Sequence, residues 1–118
     1  MYENYLLDVE AVADCLDKAT MGARTPIEPR VVNNWLQVNG VHSRFLGNQH
    51  PGTTVFSVEW YTHVDGARLL RAIFADLTES AVEYRKTTHS LELTTWLLAN
   101  KPSVLSGLAV FVRATFQL

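Results

Sequence analysis

The sequence holds one cysteine in 118 residues, which excludes an internal disulfide framework and any multi-cysteine zinc site. It has no surplus of positive charge. Ten Lys and Arg stand against 12 Asp and Glu, a formal charge of −2, so no global attraction draws it to nucleic acid or an anionic membrane. No two of its histidines, His42, His50, His63 and His89, stand four apart, so no helix presents a two-histidine metal face. Apolar runs fall far short of the ~18–20 residues a membrane-spanning helix needs. No basic stretch leading into an apolar core opens the chain, so no secretory leader is read. There is no Gly-rich phosphate loop, nucleophile elbow or paired CxxC; Gly66 reads as the residue that opens a helix. What is present is a 47% hydrophobic, 19% charged chain, too apolar to be disordered. Its length fits one domain, since domains most often run ~100–150 residues. The expectation is a soluble, cytoplasmic, single domain over residues 1–118.

Periodicity predicts a mainly α fold of about five helices with one short strand, becoming α+β if the strand pairs. Asp8 is placed to cap a helix from Val9 to Ala19, with Val12, Cys15, Leu16 and Ala19 as its apolar stripe. A second helix lies within Arg24 to Gly40. Thr25-Pro26-Ile27-Glu28 has a capping-box pattern, but the missing amide of Pro29 favours a proper start there; Gly40 is the stop. Residues 41–52 read as a loop with one helical turn at Ser43–Leu46. Thr53 to Tyr61 alternates as a strand would, with Phe56, Val58 and Trp60 on one face. Asp65 caps a helix to Leu77 whose stripe is Leu69, Leu70, Ile73, Phe74 and Leu77. Further helices are expected over Thr88 to Ala99 and from Pro102 onward. Residues 110–118 also alternate, but Leu105 and Leu108 extend the helical period and decide for helix. The expected core is Leu16, Val32, Trp35, Leu36, Leu70, Phe74, Trp96, Leu97, Leu105 and Leu108.

Few residues suggest chemistry. Cys15 lies on the apolar stripe and reads as a buried structural thiol, with acidic neighbours that raise its pKa. Glu10, Asp14 and Asp17 share a helix face, a pattern that can hold a divalent cation but more often is a solvated acidic face. His63, two residues before Asp65, could act as a base beside such a cation, or be a polar residue at a turn. Arg68 and Arg71 on one helix and Arg85-Lys86 in the next loop are the candidate partner or phosphate contacts. Trp35, Trp60 and Trp96 read as core residues before stacking platforms.

The segment Glu3-Asn4-Tyr5-Leu6-Leu7-Asp8, followed by an Ala-containing helix, resembles the "EIENYLLDPEA"-type segment of toprim-containing proteins related to the overcoming-lysogenization-defect nucleases. There it follows the toprim catalytic core. Val64-Asp65-Gly66-Ala67-Arg68-Leu69-Leu70 is similar to the family's "GK-x-LL" helix start, and Tyr84-Arg85-Lys86 and the helix-Pro-helix ending come in the family's order. Toprim chemistry needs a glutamate and an Asp-x-Asp pair on early strands. These would lie upstream of Met1 and are absent from this sequence. The family's lysine falls at Ala67; Arg68 points ~100° away around the helix. The resemblance therefore implies a C-terminal, mostly helical subdomain without its catalytic half.

Three functions follow as expectations. The first is a non-catalytic interaction module with a protein partner and no cofactor; homo-oligomerisation stays open. The second is a small phage or mobile-element inhibitor that binds a host protein, its acidic first helix mimicking a phosphate backbone. The third is a metal-dependent hydrolase using Glu10, Asp14 and Asp17. Four clustered cations could neutralise four phosphates at most, a slope of about −3.6 in log K against log salt, so tight DNA binding by the isolated chain is not expected.

Overall fold

A computed structural model describes residues 2–20, 26–47 and 52–105. Among them the chain is mainly α. A 3₁₀ turn (Tyr2–Leu6) leads into α1 (Val9–Ala19), α2 (Pro29–Asn39), the single turn α3 (Ser43–Leu46), α4 (Val58–His63), α5 (Gly66–Leu77) and α6 (Lys86–Asn100), followed by a 3₁₀ turn (Pro102–Leu105).

Local chemistry sets most of these boundaries. The Asp8 carboxylate accepts from the Glu10 and Ala11 amides, both at 3.0 Å, and so opens α1. Pro29 opens α2, where its missing amide costs nothing; the Gly40 amide donates to the Leu36 carbonyl and closes it. Glu28, at the cap position, makes no side-chain cap bond, and Thr25 lies outside the described residues. Asp65 accepts from the Arg68 amide at 3.1 Å and starts α5.

The expected strand over 53–61 is absent: no strand occurs among the described residues. Phe56 takes a φ of +70°, which breaks an extended run. Ser57 then accepts from the Trp60 amide at 3.1 Å and caps α4. Trp60 and Val64, four apart, are both buried, so the helical period rather than the alternation decides where this segment turns its apolar side.

α1 packs against α2 on one side and α6 on the other, while α5 carries the N-terminal 3₁₀ turn, α2 and α3. The core joins Leu6, Leu7, Leu16, Val32, Leu36, Trp60, Leu70, Phe74, Leu93 and Leu97, all fully excluded from solvent. Each such side chain contributes roughly 1.5–3 kcal/mol of burial. Two expected core residues are only half-buried. Trp35 lies at the edge of α2 so that its indole N–H can reach the Asp76 carboxylate at 2.9 Å. Trp96 lines a groove, with the Lys101 ammonium 5.9 Å above its ring. The Leu105 side chain and Leu108, like the helix expected through residues 106–118, lie outside the described residues.

Candidate functional site

The N-terminal 3₁₀ turn buries two polar residues, Glu3 and Asn4, and their partners are far along the chain. Asn4 accepts from the Gly66 amide at 2.9 Å and donates from its side-chain nitrogen to the Tyr61 carbonyl at 2.9 Å. One amide side chain thus joins the end of α4 to the start of α5. The close approach depends on glycine: a Cβ at position 66 would stand 2.8 Å from the Asn4 nitrogen and 2.9 Å from the Glu3 carbonyl carbon.

Glu3 is fully buried. Its Oε2 accepts from the Tyr84 hydroxyl at 3.0 Å. Its Oε1 has no hydrogen-bond partner and lies 3.6 Å from Nζ of Lys86, a side chain mostly in solvent. A buried carboxylate needs such partners, because desolvation of its charge costs far more than an exposed pair returns. Tyr84 packs edge-on against Phe74 with ring centroids 5.3 Å apart. Next to it, His89 accepts at Nδ1 from the Arg85 amide at 2.7 Å, which leaves the neutral ring's proton on Nε2. Burial pushes the His89 pKa below its usual value, with Arg85 acting in the same direction and Glu92 opposing.

The structure therefore brings Glu3, Asn4, Gly66, Tyr84 and Lys86 to one corner. Two of the four candidate cations are engaged within the chain. Lys86 is turned to Glu3. Arg68 is exposed, 3.8 Å from Asp65, and donates to the Arg44 carbonyl at 3.4 Å. Arg71 and Arg85 are also exposed.

The acidic face of α1 is divided in the same way. Lys101 reaches Asp8 at 3.0 Å and Glu10 at 2.6 Å, Lys18 pairs with Asp14 at 2.9 Å, and Asp17 accepts from the Ile27 amide at 2.6 Å. No group of three His, Cys, Asp or Glu able to hold a metal occurs among the described residues. His63 is exposed at the end of α4. Cys15 is buried, and its thiol donates to Glu92 at 3.3 Å; burial and that carboxylate drive its pKa far above the ordinary thiol value. Such a thiol is a poor nucleophile.

No family model, curated protein or solved structure matches the chain. Among the described residues no helix is long and apolar enough to cross a membrane. The residues that sequence reasoning missed are Glu3 as a buried charge and His89, whose ring centroid lies 5.8 Å from that of Tyr84. The available signal was one charge, Glu3, in a segment otherwise made of Asn, Tyr and Leu.

Proposed function

We propose that the chain is a non-catalytic helical interaction module, akin to the C-terminal part of a toprim-type nuclease, which docks on a protein that carries the metal-binding core. One observation carries this reading. The three segments that resemble the nuclease family, at Glu3–Asp8, Val64–Leu70 and Tyr84–Lys86, meet through the Asn4–Gly66, Glu3–Tyr84 and Glu3–Lys86 contacts. Short sequence likenesses scattered by chance have no reason to share a corner. The separation of Glu10, Asp14 and Asp17 onto different partners supports an accessory role over a hydrolase built on those acids. It also leaves no continuous anionic stripe to imitate a phosphate backbone.

The test has two arms. The purified chain is incubated with plasmid DNA and Mg²⁺ or Mn²⁺, and no cleavage is expected. Tagged chain is then recovered from its native cells, and a toprim-bearing protein is expected with it, retained less by Lys86→Glu. Chelator-sensitive cleavage by the chain alone, or recovery of no toprim-bearing protein, would overturn the reading.

A further inference from the structure

The turn between α5 and α6 is tied down by its own bonds. The Ser80 amide donates to the Ala75 carbonyl at 2.7 Å and the Ala81 amide to the Thr78 carbonyl at 3.0 Å. The buried Thr78 hydroxyl donates to the Phe74 carbonyl and accepts from the Val82 amide at 3.1 Å. Glu79 and Ser80 are held at φ of +52° and +66°, values that residues with a Cβ seldom take. This turn, the end of α1 and the start of α6 enclose an open pocket of about 490 Å³, whose walls include Ala19, Ser80, Glu83, Arg85 and His89.

His89 is the informative wall. It is only 7% exposed, with the Phe74 and Tyr84 ring centroids 4.9 and 5.8 Å from its own. Its Nδ1 is taken by the Arg85 amide, so its one remaining donor is Nε2–H. That group has no partner among the described residues and is not sealed from solvent. A donor on a buried ring, set in a polar pocket, is placed for an acceptor from outside the chain. Arg85 is exposed, and its guanidinium makes no ion pair among the described residues. It lies near enough to the imidazole to help lower its pKa. α6 is 15 residues long and opens without a side-chain cap. The free amides of its first turn and the positive end of its dipole favour an anion there. Glu83 is the one acid in the wall.

We propose that this pocket binds a phosphate group, free or as the monoester of a small molecule. The Arg85 guanidinium, the His89 Nε2–H and the Ser80 hydroxyl are its donors. A phosphate monoester presents three strong acceptor oxygens, one for each donor, whereas a carboxylate has only two. This inference is independent of the nuclease reading.

Titrations of the full chain with inorganic phosphate and with glycerol phosphate test it, followed in amide and imidazole nitrogen spectra against sodium chloride at equal ionic strength. Saturable shifts are expected at Ser80, Arg85 and His89 Nε2. Tighter binding of glycerol phosphate would assign the pocket to an ester, and tighter binding of inorganic phosphate to the free ion. Arg85→Ala keeps the backbone bond to His89 and should weaken both about tenfold, as loss of a charge-assisted hydrogen bond does. His89→Asn retains an acceptor for the Arg85 amide but lacks the Nε2 donor, and should also weaken both. Glu83→Gln should tighten them several-fold. Shifts that do not saturate, shifts spread equally to Lys18 and Arg68, or a Kd unchanged in folded Arg85→Ala would overturn the proposal.

Discussion

Single residues carry unequal weight in this fold, and exposure alone does not rank them. Among the described residues, Tyr84 gives the Glu3 carboxylate its one hydrogen bond. Tyr84→Phe should therefore cost roughly 1.5–3 kcal/mol, the worth of a hydrogen bond to a charged group, and denaturant melts of the two proteins would measure it. Trp60 is fully buried, with its indole N–H donating to the Gly40 carbonyl at 2.8 Å; its replacement by Ala is expected to cost ~3–5 kcal/mol. Trp96→Ala should cost clearly less, because that ring is only half-buried. Equal losses in melting temperature would contradict this ranking. His89 gives a pH dependence with a definite sign. Its folded pKa lies below the usual 6.5, so the unfolded chain takes up the proton more readily. Stability is then full above about pH 6.5 and declines as pH falls from there through the folded value. His89→Gln should flatten that part of the curve in pH-stepped melts.

Among the elements, those whose ends are marked locally were legible in the sequence. Asp8, Pro29, Gly40 and Asp65 lie within one turn of the amides and carbonyls they serve, so α1, the start of α2 and α5 could be read from neighbours alone. The segment at 53–61 was not legible, because Phe56, Trp60 and Val64 satisfy a helical step as well as Phe56, Val58 and Trp60 satisfy alternation. What settles it is the Ser57 cap and the reach of Trp60 to Gly40, twenty residues away. The joint between the N-terminal turn and α5 makes its own prediction. Gly66→Ala would drive a methyl into the backbone of Glu3 and Asn4, at a cost of about 1–3 kcal/mol typical of overpacking. Amide exchange should quicken at Gly66 and at the N-terminal turn before it does in α2, and uniform exchange across both would refute a local effect.

At the scale of the whole molecule, charge is spent on internal pairing. Lys18, Lys86 and Lys101 each face a carboxylate of the same chain, which leaves fewer free cations than the sequence alone suggests. Anisotropy titrations with short duplex DNA should show no submicromolar binding at about 150 mM salt, where counterion release adds little. Tight binding abolished by Arg68→Glu with Arg71→Glu would reverse this conclusion. The candidate site was legible only in part: Glu3, Gly66 and Lys86 could each be singled out along the chain, but their meeting could not. Glu3 and Tyr84 are 81 residues apart, and no periodicity or cap signal spans such a distance.

That separation also imposes an order on synthesis. Chains lengthen at ~5–20 residues per second, so Glu3 waits roughly 4–16 s before Tyr84 is even joined to the peptide, and longer before both are clear of the ribosome. During this interval the start of the chain holds a carboxylate that must stay in water and a pair of leucines, Leu6 and Leu7, that must not stay there for long. This segment is made well before the partner that secures it, and a nascent chain halted before Tyr84 would expose it to whatever chaperone or protease is at hand.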